Sequence, residues 1–303
     1  MDRIRSIVVP TDFSALSDAA AARAVILAQL DGATIHLVHA LRFPLVATPY
    51  YQASIPAAMS EGVRRAAQQR LQEARKAIEE RGVSTVTTEV HTPEDVVQAI
   101  SAVAASQRAD LVVMGTHGHG GLRHAFLGSV AERTLRSPSL RCPVLSVKED
   151  RAMAEAPIER ILLAVDFSAH SDRAVEVAAS LGKRLGASLD VVHAFDLPPD
   201  YLAYATSFGA EFEQKVQASA AERLEDVHER LRAMKVPVTL HLRRGSPSAV
   251  IAEVARQIHG QLIVMGTRGN AGLSHVLLGS VAERTLRTAP CSVLTVKSQK
   301  EAS

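Results

Sequence analysis

The sequence predicts an α/β protein made of two tandem domains, each a doubly wound sheet of five parallel strands. Three observations support this prediction: the chain repeats itself, strand-like and helix-like segments alternate within each repeat, and the strands are continuous apolar runs. Such runs indicate strands covered by helices on both faces, and right-handed crossovers then produce the doubly wound topology. The 303 residues are close to the length of two domains of about 150 residues each.

The repeat is clearest near the end of each half. Residues 114–135 and 265–286 agree at sixteen of twenty-two positions without a gap. The order of the other landmarks is also kept, so that Asp12 corresponds to Asp166. We therefore place domain 1 at residues 1–148, a polar linker at 149–157, domain 2 at 158–297 and a tail at 298–303.

The first half begins with a β-branched strand, SIVVP, and an Ala-rich helix at Ser14–Leu30 whose apolar residues recur every three or four positions. The second strand is TIHLVHA, and a long loop leads from it to a charged amphipathic helix at Glu61–Arg81, which Gly82 ends. The second half repeats this order, with its charged helix at Glu211–Arg232. We expect both charged helices to present solvated faces with salt bridges.

The third strand is VSTVTTEVH, after which we expect Thr92 to cap a helix that has Pro93 at its first position, as Ser246 and Pro247 do in the second half. The buried fourth strand, ADLVVMG, is followed by a short helix at Ser129–Arg136 and by a fifth strand, PVLSVK. This last strand is short and lies at a sheet edge, where it is an exposed template for pairing, and a tandem chain can satisfy it internally by pairing PVLSVK with SVLTVK as an intramolecular pseudo-dimer. Two chains could associate further as a homodimer.

Composition excludes several classes of protein. A formal net charge of +2 argues against a protein that coats nucleic acid or an anionic membrane, and 4% aromatic residues without Trp argue against a base-stacking surface. Two cysteines cannot form a disulfide framework, and no apolar run reaches the roughly 18 residues of a membrane span. The first residues carry charges where a signal peptide needs an apolar stretch, so we expect a cytoplasmic protein, bacterial in composition.

Glycines follow the fourth strand of both halves at one spacing. The pattern G-x-x-G, nine residues, G-S occurs at Gly115, Gly118, Gly128 and Ser129, and again at Gly266, Gly269, Gly279 and Ser280. Glycine lets backbone N–H groups approach an oxyanion, and the start of the following helix attracts phosphate through its free N–H groups and its dipole. The spacing therefore predicts a triphosphate site at the carboxyl ends of the strands.

This pattern, after a strand that ends in MG, resembles the nucleotide-binding signature of the universal stress protein family. The segments PTDFS, AVDFS, LVHA and VVHA resemble other landmarks of that family, and the resemblance covers the whole chain as two tandem domains. It implies a Rossmann-like fold of the adenine nucleotide alpha hydrolase type. It also implies ATP with Mg²⁺ as the ligand, a regulatory role in stress responses, a protein partner of unknown identity, and little or no turnover.

Carried over position by position, the resemblance places Asp12 and Asp166 beside the ribose or beside a phosphate-bound Mg²⁺, with no metal held by the protein alone. The other residues expected to bind ATP are Pro10, Thr11, Ala40, Met114, Gly115, His117, Gly118, Gly128, Ser129 and Val130 in the first half, and Val165, Ala194, Met265, Gly266, Arg268, Gly269, Gly279, Ser280 and Val281 in the second.

The two predicted sites differ at one position that matters for charge. Arg268 stays charged and can bind phosphate with two N–H groups, whereas its counterpart His117 is mostly neutral at neutral pH. We therefore expect the second site to bind more tightly, or with less pH dependence. The first half also has His91 near the end of its third strand, where the second half has Gly245, and we expect some backbone strain at that histidine.

Several interpretations remain open at this stage. Ser129 and Ser280 could be the N-caps of capping boxes, with Glu132 and Glu283 reaching back, rather than phosphate ligands. The strand-two histidines, His39 and His193, are more typical of hydrogen-bonded core residues than of ligands. His124 and His275 could face phosphate or could simply pack within the glycine loop.

An enzyme, either a slow ATP hydrolase or a nucleotidyl-transfer enzyme, is the alternative function, and a scaffold without ligand is a third. The lysine-bearing P-loop, the pyrophosphatase loop, the adenylation motif and the hydrolase nucleophile elbow are not found in the sequence, so we assign no catalytic residue.

Overall fold

A computed structural model describes residues 3–41, 46–48, 51–53, 57–116, 127–196, 209–269 and 278–297. The chain forms two units that divide between Ala156 and Pro157. Both units are α/β, and their sheets are parallel and covered by helices, as predicted. Parts of the two long loops after the second strands, including Tyr50, Tyr201 and Tyr204, lie outside the described residues.

The first unit contains one five-stranded sheet in its described part. Its elements are β1 (Ser6–Pro10), α1 (Ala15–Asp31), β2 (Thr34–Ala40), β3 (Val46–Thr48), β4 (Tyr51–Ala53), α2 (Ala57–Glu79), β5 (Val86–His91), α3 (Val96–Ser106), β6 (Leu111–Gly115), α4 (Ser129–Arg136), β7 (Val144–Val147) and α5 (Arg151–Glu155). The sheet order is β5-β2-β1-β6-β7 with every pair parallel, while β3 and β4 form a separate antiparallel hairpin.

The second unit repeats this topology. Its elements are β8 (Arg160–Ala164), α6 (Ala169–Leu185), β9 (Ser188–Phe195), α7 (Gly209–Ala233), β10 (Val238–Arg244), α8 (Pro247–Gln257), β11 (Leu262–Gly266), α9 (Ser280–Thr288) and β12 (Ser292–Val296). The parallel order is β10-β9-β8-β11-β12. The fourth strands of the two repeats, β6 and β11, are buried along almost their whole length, which explains why they are continuous apolar runs.

The first helix of each unit has defined ends. Ser14 caps α1 by accepting a hydrogen bond from Ser17 N, and Ser168 caps α6 in the same way. Gly32 and Gly186 end these helices in the left-handed conformation, with φ of 68° and 66°, which glycine adopts without steric cost. These caps fix where each helix starts after the first strand, and therefore fix the turn between them.

The predicted start of α3 is wrong by about three residues. The N-cap is Asp95, whose carboxylate accepts a hydrogen bond from Val97 N at 2.8 Å, and Thr92 and Pro93 precede the helix. Asp95 is preferred over Thr92 as the cap because its charged carboxylate is a stronger acceptor than a hydroxyl. The carboxylate also accepts a hydrogen bond from the Arg133 guanidinium. The matching prediction for α8 is confirmed, with Ser246 at the cap and Pro247 first.

The strain expected at His91 is also wrong. His91 is an ordinary strand residue opposite Ala40 and does not have a positive φ. By strand register its counterpart is Arg243, which lies opposite Ala194, so that Gly245, with φ of 138°, follows two residues later. His91 therefore lies within the strand, whereas Gly245 lies in the turn that follows the strand, and the two positions are not equivalent.

The linker region contains a short helix that packs on the first unit. The guanidinium of Arg23 in α1 is buried, donates to the carbonyls of Met153 and Ala156 at 2.8 and 2.9 Å, and pairs with Glu149 at 3.1 Å. These contacts hold α5 against α1.

Among the described residues, no helix combines the length and the apolar character that a membrane crossing requires.

Candidate functional site

A cavity lies where the strand order of the second unit reverses. From β8 the chain crosses to β9 on one side, and β11 lies on the other side of β8. Loops that leave the carboxyl ends of two such strands diverge and open a crevice between them. The cavity has a volume of about 450 Å³, within the range of small-molecule sites.

The cavity brings together all ten residues predicted for the second half. They are Val165, Asp166, Ala194, Met265, Gly266, Arg268, Gly269, Gly279, Ser280 and Val281. The lining also includes residues that the sequence did not single out, namely Ala164, Ser171, Val192, Pro247, Ile251, Thr267 and Ala282. Pro247 and Ile251 show that the first turn of α8 forms part of the wall, a tertiary contact that no local pattern encodes.

The lining is mostly apolar, with a few polar groups. Asp166 and Arg268 are the charged side chains among the described lining residues, and both are half-buried. Ser280 is exposed, whereas the hydroxyl of Thr267 is buried without a hydrogen-bond partner. An apolar wall with a few polar groups is typical of sites for small organic ligands.

The glycines of the pattern serve different purposes. A Cβ on Gly266 would lie 3.1 Å from backbone atoms of His170, and one on Gly115 would lie 3.0 Å from those of Leu16. These two glycines therefore allow the first helix to approach the end of the fourth strand. A Cβ on Gly269 would overlap the carboxylate of Asp166, so this glycine keeps the loop close to the aspartate.

Helix α4 spans its predicted residues, Ser129–Arg136, but the capping-box alternative for Ser129 and Ser280 is wrong. The N-cap residues are Gly128 and Gly279, with no side-chain cap, and each serine is the first residue of its helix. Glu132 and Glu283 pair instead with arginines one turn later, Arg136 and Arg287, at 3.3 and 2.8 Å. The serine hydroxyls are consequently not used to cap their helices, and the first three residues of α9, Ser280, Val281 and Ala282, line the cavity.

The aspartate turn is built in the same way in both units. Ser168 donates to Asp166 Oδ1 from its backbone N at 3.1 Å and from its hydroxyl at 2.6 Å. In the first unit, Ser14 N donates to Asp12 Oδ1 at 3.0 Å. Each carboxylate is therefore oriented by the residue that caps the next helix.

The strand-two histidines are hydrogen-bonded residues of the core edge, which confirms the simpler of the two interpretations. His39 Nδ1 donates to the carbonyl of Thr11 at 2.7 Å, and His193 Nδ1 donates to that of Val165 at 2.8 Å. Burial lowers the pKa of His193 below its ordinary value; the hydrogen bond to Val165 and the charge of Asp166 act in the opposite direction. His193 is consequently neutral at neutral pH, with its proton on Nδ1.

The described residues predicted for the first half lie at the corresponding ends of the elements. Pro10 and Ala40 end β1 and β2, Thr11 and Asp12 follow β1, Met114 and Gly115 end β6, and Gly128, Ser129 and Val130 lie at the start of α4. His117, Gly118, His119, His124, Asn270 and His275 lie outside the described residues. Within the described part of the chain, no group of three or more His, Cys, Asp or Glu side chains could hold a metal ion.

The chain is similar to universal stress proteins in sequence and in fold. The model of the universal stress protein family matches residues 3–148 and again 157–297. A universal stress protein of Mycolicibacterium smegmatis is 32% identical over 297 residues, which cover 96% of each chain. One from Thermus aquaticus is 38% identical over 139 residues, 45% of this chain and 97% of that protein.

Among solved structures, a universal stress protein from Archaeoglobus fulgidus matches with a TM-score of 0.72 at 24% identity, over 98% of this chain and 97% of that one. At this identity the likeness is one of fold. Two matches to one family model, together with a relative that is similar from end to end, mean that the chain belongs to the universal stress protein family, as two tandem family domains.

Proposed function

We propose that the chain binds ATP in each half and acts as a nucleotide-dependent regulatory protein of the stress response, with little or no turnover. One observation carries the proposal: a single cavity at the switch point joins the glycine turn, the start of α9 and the carboxylate of Asp166. The stress role comes from the family and from the names of the relatives, and no individual residue specifies it.

The apolar part of the lining suits a nucleoside. Val165, Val192, Ala194, Ile251 and Met265 offer aliphatic and thioether surface against which the faces of a purine ring can pack. Since these side chains carry no strong donors or acceptors, the edge of the base would be read by backbone groups near Ala194.

The polar part of the lining suits a polyphosphate. The first N–H groups of α9 have no partner within the helix, and its dipole favours an anion. Ser280 adds a hydroxyl that is not used for capping, and Arg268 adds a planar guanidinium that can bind two phosphate oxygens. These groups fit the charge and the hydrogen-bonding capacity of a triphosphate.

Mg²⁺ fits the same donor set. This ion is usually bound through one or two carboxylates together with the phosphates of the nucleotide, and Asp166 supplies such a carboxylate at the cavity wall. Bound there, the ion would offset the negative charge of the triphosphate. Asp12 would do the same in the first unit, since Ser14 N donates to its Oδ1 at the corresponding turn.

Low turnover is consistent with the described lining. Asp166 is its carboxylate, and Oδ1 is occupied by two hydrogen bonds from Ser168 rather than directed at a water molecule. The other polar side chains of the described lining are hydroxyls and a guanidinium.

Calorimetric titration of the purified full chain with Mg-ATP tests the proposal, and a phosphate-release assay on the same sample tests turnover. We expect saturable binding and release far slower than about one event per second, which is the low end of ordinary enzymes. Titration without binding would refute the nucleotide function, and many turnovers per second would favour the enzyme.

A further inference from the structure

The residue after the site aspartate has a backbone conformation that is unusual for its type. Phe167 has a φ of 60°, and Phe13, its counterpart in the first unit, has a φ of 61°. A bulky aromatic residue is strained in this left-handed region, so the surrounding structure must hold it there. The same strained residue beside the same aspartate in both units indicates a feature connected with the site.

Contacts from two elements hold Phe167. Its ring lies against the imidazole of His193, with ring centroids 4.2 Å apart, and the guanidinium of Arg223 covers the ring at 4.5 Å from its centroid. Arg223 Nη2 also donates to the carbonyl of Phe167 at 3.2 Å, while His193 Nδ1 donates to that of Val165. The turn is therefore held on both sides of Asp166.

The first unit repeats the stack. The ring centroids of Phe13 and His39 are 4.4 Å apart, and the Arg70 guanidinium lies 4.2 Å from the Phe13 centroid. Arg70 and Arg223 are exposed residues of α2 and α7, the charged helices whose outer faces the sequence assigned to solvent. Since neither arginine belongs to the glycine pattern, the duplicated stack is evidence independent of that pattern.

Phe167 lies between the site aspartate and the serine that orients its carboxylate. Asp166 Oδ1 accepts both hydrogen bonds from Ser168, and Oδ2 lies beside Gly269. Phe167 is the single residue between Asp166 and Ser168, so a change in its φ would move Ser168 away from the carboxylate and break this arrangement.

We propose that Arg223, and Arg70 in the first unit, are positioning residues of the nucleotide site: each holds the left-handed phenylalanine and thereby aims the neighbouring aspartate at the bound phosphates and their metal ion. The inference rests on the proposed ATP binding. Arg223 is not one of the described residues that line the cavity, so it acts through Phe167 and Asp166.

The test compares Mg-ATP affinities in the full chain, with the first site disabled by Asp12→Ala so that only the second is measured. Arg223→Met keeps the length of the side chain but removes its charge and its donors, and we expect affinity to fall about tenfold. The matched control is Arg230→Met on the same helix, whose guanidinium pairs with the exposed Asp172 at 2.7 Å. This control should change affinity less than about twofold.

Phe167→Gly separates positioning from direct attraction between Arg223 and the phosphates. Glycine adopts the left-handed conformation without strain, so the turn no longer needs the arginine to hold it. Adding Arg223→Met to Phe167→Gly should then weaken binding less than about twofold further. The same tenfold loss in both backgrounds would show that the charge of Arg223 acts directly and would overturn the inference.

A readout without nucleotide complements the affinities. The charge of Arg223 helps to lower the pKa of His193, so NMR titration should show that the pKa of His193 is higher in Arg223→Met than in the parent.

A second variant covers the case in which Arg223→Met does not fold, as judged by circular dichroism. Arg223→Lys then replaces it, and we expect its affinity to fall about threefold. A parent that binds no Mg-ATP refutes the proposed function and this inference together, whereas a parent that binds and an Arg223 variant that binds equally well refute the inference alone.

Discussion

Among the described glycines, Gly269 is the one at which an added Cβ would approach another atom most closely. Its Cβ would overlap the carboxylate of Asp166, whereas a Cβ on Gly260 would make only ordinary contacts at 3.5 Å. Gly269→Ala should therefore reduce Mg-ATP binding at the second site at least tenfold, with Gly260→Ala as the matched control, and calorimetry of both variants measures the difference. Equal affinities in the two variants would mean that the loop at Gly269 does not touch the nucleotide.

The exchange of His117 for Arg268 predicts that the two sites respond differently to pH. With Gly269→Ala to isolate the first site and Gly118→Val to isolate the second, affinity at the first site should rise as pH falls from about 8 to about 6, since a histidine gains charge in this interval. Affinity at the second site should change less, because a guanidinium stays charged throughout. Equal affinities with equal pH slopes would contradict this prediction.

Sequence reasoning found the site residues that belong to the glycine pattern and to the strand ends, because that spacing occurs in both halves. It did not find Phe167 as a strained residue, or Arg223 as its partner. Phe167 is ordinary in sequence, and its left-handed φ is visible only when the strand, the turn and the helix cap are seen together. Arg223 lies 56 residues away from the carbonyl that it contacts.

The short helix at the phosphate end of each site is capped by a glycine rather than by its serine, and this has a measurable consequence. Because Gly279 is the N-cap of α9, Ser280→Ala should change the free energy of unfolding by less than about 0.5 kcal/mol while weakening ATP binding. Ser14→Ala is the comparison, since Ser14 does cap α1, and it should cost about 1 kcal/mol. Urea denaturation measures both variants. A loss of about 1 kcal/mol in Ser280→Ala would show that the hydroxyl caps the helix after all.

Strand β2 carries a buried histidine that links the stability of the first unit to pH. Burial lowers the pKa of His36 below its ordinary value of 6.5, with the charge of Glu89 acting in the opposite direction. A lowered pKa means that the folded state favours the neutral ring, so this stability is present above about pH 6.5 and is lost as pH falls through the folded-state pKa.

The melting temperature of the wild type should therefore fall as the pH is lowered from about 7 to about 5.5, and it should fall less in His36→Asn. Asparagine does not titrate, and its side-chain amide keeps a polar group near Thr87 Oγ1, the partner of His36 Nδ1 at 2.7 Å. His259→Asn, at an exposed position, is the control and should keep the wild-type slope. An unchanged slope in His36→Asn would contradict the assignment.

The bounds of most elements could be predicted because their signals are local. The apolar runs of β6 and β11 and the Ser246 cap lie where the sequence placed them, and α1 begins one residue after its predicted start at Ser14. The errors in the caps of α3 and α4 arose where two local signals competed, although α4 spans its predicted residues. A nearby arginine favours Asp95 over Thr92 as the cap of α3, and the hydrogen bond from Gly128 N to Thr116 O at 2.6 Å holds Gly128 directly before the first residue of α4.

The architecture of the whole molecule could be predicted because the chain is duplicated. A pattern that occurs at the same place in both halves is stronger evidence than a pattern that occurs once. The order of strands and helices, the two tandem domains and the family follow from the repeat and from the landmarks that it preserves. What the repeat could not supply is the wall formed by α8 and the stack of α7 on the aspartate turn, because both depend on how distant segments pack.

Two intact sites predict that the purified chain carries nucleotide in both halves. Mass analysis of the small molecules released by denaturing the protein should detect ATP at up to two molecules per chain, and about half that amount in Gly269→Ala. Release of no nucleotide, together with nucleotide-soaked crystals whose two pockets are filled by side chains, would contradict the account and would leave a duplicated scaffold without a ligand.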